Sequence, residues 1–158
     1  MPSFIELITL VGPGYLTAVA VPLSVIDIKQ RRLPNRLVVP GLVITLVCES
    51  LAAMLSAQWP RLGSAVLGSM IVFAVSFWLN HLGAMGMGDV KLLTLIALIF
   101  GWWSWPALGI ALLAGFGSAV LVTSVQLIWN RSRMTQTIPL GPYLLFGCLA
   151  AATALAWS

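Results

Sequence analysis

Apolar residues in this chain fall in long blocks separated by short polar segments. Leu7 to Ile26 runs for 20 residues without a charge, Leu37 to Pro60 carries only Glu49 among charged residues, and Leu62 to Asn80 adds 19 uncharged positions. A helix rising ~1.5 Å per residue needs about 20 apolar residues to cross ~30 Å of hydrocarbon, so each block predicts one spanning helix. Leu92 to Asn130 is uncharged over 39 residues, which predicts two helices. Their break is expected within Gly101-Trp102-Trp103-Ser104-Trp105-Pro106, because proline stops a helix and tryptophan favours the membrane interface. Met134 to Ser158 gives a final uncharged run of 25. The pattern predicts an all-α, polytopic membrane protein with six transmembrane helices, forming a single domain over residues 1–158. The first block lacks a preceding basic segment and is longer than the core of a secretion signal, so it reads as helix one, bent at Gly12-Pro13-Gly14 and Pro22.

Composition narrows the class further. Hydrophobic residues make up 60% and charged residues only 8%, with a mean hydropathy of +1.04. Soluble domains draw about a quarter of their residues from the charged types. A chain this poor in charge cannot coat a water-soluble globule, which excludes a soluble enzyme, a disordered chain and a nucleic-acid binder and makes the lipid bilayer its surrounding partner. Cys48 and Cys148 lie inside apolar runs and read as small core residues, with no disulfide framework or metal site implied.

Lys29, Arg31, Arg32 and Arg36 follow helix one, Lys91 precedes helix four, and Arg131 and Arg133 follow helix five. With six spans these seven basic residues share one side, and only Arg61 lies opposite. The positive-inside rule makes that side cytoplasmic and turns both termini outward. Lys29, Arg31, Arg32 and Arg36 anchor the chain to anionic headgroups, so a basic substrate segment is not drawn to them and recognition must lean on apolar contact.

With four acidic residues in the whole chain, each needs a reason. Asp27 lies where helix one meets the basic face, and Asp89 where helix four begins at that same face. Ionisable groups at a span boundary are costly and are paired or functional. The plain alternative is that each Asp caps a helix or pairs with a neighbour, Asp27 with Lys29 or Arg31 and Asp89 with Lys91. Two aspartates brought together instead share one proton, because like charges a few ångströms apart cannot both ionise. One then takes a proton from water while the other donates to a carbonyl oxygen, which is the chemistry of peptide hydrolysis. A proton-coupled carrier or channel using the pair as a relay is the alternative from another class, although a relay favours carboxyls staggered through the bilayer.

The segments around the two acids carry a resemblance. Gly86-Met87-Gly88-Asp89-Val90-Lys91 resembles the Gly-x-Gly-Asp-x-Lys signature of the type IV prepilin peptidases, membrane aspartyl proteases that process pilin precursors. Asp27-Ile28-Lys29-Gln30-Arg31-Arg32-Leu33-Pro34-Asn35 is similar to that family's first motif, and Pro139-Leu140-Gly141-Pro142-Tyr143 to its third. The resemblance implies that Asp27 and Asp89 are the catalytic pair, supported by Gly86, Gly88, Lys91, Pro34, Asn35, Pro139, Gly141 and Pro142. It implies cleavage after a glycine ending a basic leader, at the cytoplasmic face of a bacterial inner membrane, with a prepilin as partner and no cofactor. Long members carry a zinc-binding insert built on paired Cys-x-x-Cys motifs. This chain has no such pair, and only about ten residues separate Asp27 from Arg36. It resembles the small form associated with tight-adherence (Flp-type) pili, and the departure puts the family's second activity, N-methylation, in doubt.

The remaining polar positions are weaker candidates. Asp89 begins a helix and Asp27 nearly ends one, so the macrodipole predicts Asp89 as the ionised base and Asp27 as the acid. Glu49 lies mid-span, where a carboxyl is expected to be neutral or hydrogen-bonded, with contact to a substrate helix as the sharper reading. His81 reads as an interfacial polar residue. Gly109, Ala111, Ala114, Gly115, Gly117, Ser118 and Ala119 form a small-residue surface suited to close helix packing.

Overall fold

The structure is a computed structural model that describes residues 4–30, 33–129 and 140–157. Seven helices run through these residues: α1 (Phe4–Thr9), α2 (Val11–Gln30), α3 (Asn35–Ser56), α4 (Trp59–His81), α5 (Met87–Trp103), α6 (Trp105–Trp129) and α7 (Gly141–Trp157). No strand occurs among the described residues.

Helices α1 and α2 form one rod with a joint at Leu10. The Leu10 amide donates to Glu6 O at 3.1 Å and the Gly14 amide to Leu10 O at 2.9 Å, so the ladder passes through the joint. Pro13 has no amide to give the carbonyl four residues earlier, at Thr9, where α1 ends. The interruption thus lies one turn before Pro13, while α2 runs without a break through Pro22. Between α5 and α6 the chain breaks at Ser104, whose φ of −169° and ψ of 132° are extended, inside the tryptophan-proline segment that predicted a break.

Four rods are long and apolar enough to cross a membrane: Phe4–Gln30, Asn35–Ser56, Trp59–His81 and Trp105–Val125. Helices α5 and α7 have 17 residues each, or about 26 Å of rise, and fall short of that length. Their shortness has a structural reason, since both begin at the motif segments that line the polar end of the bundle. Helix α5 is also the most enclosed, with Val90, Leu92, Leu93 and every residue from Leu95 to Trp102 buried. It packs against α3, α4, α6 and α7. The main core gathers Leu23, Val38, Leu92, Leu93, Ile96, Ile99, Leu144 and Cys148 around it.

Alternation of the rods brings the C-terminal ends of α2, α4 and α6 and the N-terminal ends of α3, α5 and α7 to one end of the bundle. Asp27, Asn35, Gly86 to Lys91 and Gly141 all lie there.

Candidate active site

Asp27 is placed by α2, one turn before that helix ends at Gln30. Its side chain is buried, 4% exposed. The Gly141 amide, 114 residues away in sequence, donates to Asp27 Oδ2 at 2.8 Å. Gly141 is the first residue of α7, so Asp27 caps the N-terminus of a helix from the far end of the chain. Orphan amides at a helix start favour an anion. A Cβ on residue 141 would stand 2.8 Å from Asp27 Oδ2, so any larger residue here has to displace the carboxyl group. Pro142 then fits the first turn of α7, where its missing amide costs nothing.

Asp89 is placed by the first turn of α5, which starts after Gly86. It stands three residues past that N-cap with its carboxyl folded back towards it, since a Cβ on Gly86 would stand 3.1 Å from Asp89 Oδ2. Its Oδ1 is buried with no hydrogen-bond partner among the described residues. The segment before α5 turns at Gly83, whose φ of +73° is left-handed backbone that glycine adopts freely. Asn80 ties this turn to α4, its Nδ2 donating to Met85 O at 2.7 Å.

The first and second motif segments meet directly. A Cβ on Gly88 would stand 2.7 Å from Leu33 Cβ, so only glycine admits this approach. Lys91 Nζ donates to Asn35 Oδ1 at 2.8 Å, and Pro34 supplies the extended N-cap of α3 beside them, with φ −72° and ψ 125°. Lys91 thus bridges the motifs and forms no ion pair with Asp89, contrary to the plain pairing expected between neighbours.

Both aspartates line a cavity of about 720 Å³ together with Leu79, Met85, Gly86, Phe116, Val120 and Thr123. They also line a second cavity of about 420 Å³ on the motif side, with Leu33, Asn35, Gly88 and Lys91. Residues 62 positions apart in sequence therefore share one solvent-sized space. Arg31, Arg32, Arg131, Arg133 and Pro139 lie outside the described residues.

A sequence model of the type IV leader peptidase family matches residues 14–130. The chain belongs to this family. It is 32% identical over 139 residues to the prepilin leader peptidase/N-methyltransferase of Stutzerimonas stutzeri, covering 85% of this chain and 45% of that protein. A protein of the same description from Escherichia coli (strain K12) is 34% identical, covering 85% and 59%. One from Aeromonas hydrophila is 33% identical over 149 residues, covering 90% and 48%. The chain thus spans about half the length of the curated relatives it matches. No solved structure matches it.

Within this leader-peptidase fold the structure brings Asp27, Asp89, Gly86, Gly88, Lys91, Pro34, Asn35 and Gly141 together, with Pro142 next in the chain. Glu49 stands apart. It is 2% exposed, lines none of the aspartate cavities, and leaves Oε2 without a hydrogen-bond partner among the described residues. A residue so enclosed does not present itself to a substrate helix in this conformation. The dipole argument that separated the two aspartates also loses its basis. Asp27 does end its own helix, but it accepts the Gly141 amide at the start of α7, so both carboxylates lie at a helix N-terminus.

Three partners escaped the sequence reading. Leu33 against Gly88 carried no signal. The Asn35–Lys91 bond joined two recognised motifs, yet spacing alone does not pair them. The Gly141 amide was foreshadowed only by the third motif sharing the face of the first two.

Proposed function

We propose that this chain is a prepilin leader peptidase, an aspartic endopeptidase that hydrolyses the peptide bond after a glycine ending a basic leader. Asp27 and Asp89 are its catalytic pair. The observation that carries this reading is their shared cavity, since hydrolysis needs two carboxyls acting on one water and one carbonyl. The ionised carboxylate takes a proton from water as the water oxygen bonds to the carbonyl carbon. The protonated partner gives its proton to the carbonyl oxygen. Collapse of the tetrahedral intermediate breaks the C–N bond, and the departing amine takes up the proton the base had gained.

Six helices cross the bilayer in this proposal, with both termini outside and the aspartate end at the cytoplasmic face of a bacterial inner membrane. The distribution of Lys and Arg supports that orientation. The short Asp27–Asn35 connection supports a role in Flp-type pilus systems, with the whole chain one peptidase domain.

Co-expression of a Flp-type prepilin with the native chain, Asp27→Ala or Asp89→Ala tests this, with leader removal followed on a gel. The native chain is expected to shorten the prepilin and each variant to leave it full length. Undiminished processing by either variant overturns the assignment.

A further inference from the structure

The smaller of the two aspartate cavities differs from the larger in its charge. It is bordered by Asn35 and Lys91 as well as by the two acids, while no cation among the described residues lines the larger one. Lys91 is half-buried, and its Nζ donates to Asn35 Oδ1 at 2.8 Å. That acceptor is neutral, and Lys91 makes no ion pair among the described residues. An ammonium group has three N–H donors, so the bond to Asn35 leaves two of them, and the whole charge, beside the catalytic pair. Asn35 accepts through Oδ1, which leaves its amide NH2 for a further acceptor.

Hydrolysis creates an anion in this space. The water oxygen stays on the carbonyl carbon of the scissile glycine, so the leader leaves as a carboxylic acid while the other product leaves as an amine. An α-carboxyl has a pKa of about 3.5 and gives its proton to solvent near neutral pH. The new carboxylate then lies against the negative charge that the two aspartates share, and like-charge repulsion drives it away from them. The neighbouring ammonium attracts it, through charge-assisted N–H···O bonds about twice as strong as neutral ones. Before cleavage the same carbonyl carries no charge, so this attraction exists for the product alone.

We infer that Lys91, held in place by Asn35, binds the glycine carboxylate of the released leader, which makes the smaller cavity a product site. The inference rests on the peptidase reading of the aspartates. A leader already cut off therefore competes with the next prepilin, and the strength of that competition depends on the charge at its new end.

Two experiments test it on the native chain purified in detergent. In the first, prepilin processing is followed with a synthetic leader ending in a glycine carboxylate, or with the same peptide ending in a glycine amide. The carboxylate is expected to inhibit at least about tenfold more strongly than the amide. In Lys91→Met the two peptides should inhibit within about twofold of each other. Asn35→Ala breaks the same bridge but keeps the ammonium, and should retain the preference. Equal inhibition by the two peptides on the native chain, no inhibition by either, or an undiminished preference in Lys91→Met overturns the inference. In the second, an N-acetylated leader whose basic residues are all arginine is mixed with the native chain and a carbodiimide. The reagent joins a carboxylate to an amine in contact with it as an amide, itself taking up the water released. Mass spectrometry is expected to find the peptide on Lys91 and not on Lys29, the other lysine of the chain. Coupling absent from Lys91, or equal at both lysines, overturns the inference, and this result decides alone if Lys91→Met does not accumulate. A native chain that leaves the prepilin uncut would instead overturn the peptidase reading, which keeps the two failures distinguishable.

Discussion

Asp27 and Glu49 are almost equally buried, at 4% and 2% exposed, yet their surroundings differ in kind. Asp27 sits at the bundle's end, accepts the Gly141 amide, and borders two cavities that Asp89 also borders. Glu49 lies in the bundle's middle, one turn from Thr45, which is itself 1% exposed. Thr45 Oγ1 and Glu49 Oε2 both lack hydrogen-bond partners among the described residues, and Thr45 packs so closely on α2 that a Cβ on Gly12 would stand 2.7 Å from its hydroxyl. Burial alone therefore does not make a carboxyl reactive. The rim acid combines burial with a fixed hydrogen bond, a second acid and open space, while the interior acid has burial and packing.

That contrast breaks most sharply at the aspartates themselves. Asp89→Asn preserves shape and removes the proton transfer, so prepilin cleavage should fall at least about a hundredfold, measured by leader removal over time with equal amounts of membrane-inserted chain. Gly141→Val attacks the rim through geometry, since its side chain would push into Asp27 Oδ2. A displaced acid should cost about a hundredfold in rate while Asp27 remains present, and Gly141→Ala should fall between valine and native.

A smaller effect is expected from the bridge between motifs. Lys91→Met or Asn35→Ala removes the 2.8 Å hydrogen bond and should slow processing roughly three- to tenfold. The double variant should be no worse than either single one, because both remove the same contact. Additive losses would show that Lys91 and Asn35 act separately. The smallest change is expected in the interior. Glu49→Gln should leave cleavage within about twofold of native and stability within about 1 kcal/mol, as read from thermal denaturation in detergent. Glu49→Ala should lower the melting temperature without changing activity per folded molecule. A specific loss of cleavage in Glu49→Gln would move Glu49 from the packed interior into the working site.

Much of this organisation is legible along the chain. The uncharged blocks located the rods, and the tryptophan-proline segment located the break that the structure puts at Ser104. Lys and Arg grouped Asp27, Asp89 and the third motif at one end. Which helix faces which was not legible, because helices apolar on every side carry no amphipathic stripe to orient them. For that reason the central place of α5 did not follow from the pattern. The helix start at Gly141 was likewise readable, but its meeting with Asp27 depends on α2 and α7 packing side by side, a long-range contact that no local rule encodes.

Proximity of the two acids is tested most directly by chemical tethering. In a chain with Cys48 and Cys148 replaced by alanine, Asp27→Cys and Asp89→Cys are introduced together and treated in native membranes with a short bifunctional thiol reagent. Both thiols should bridge within one molecule, read by mass as a single added linker with no free thiol left. Labelling of each thiol by a monofunctional reagent, without any intramolecular bridge, would contradict a shared site.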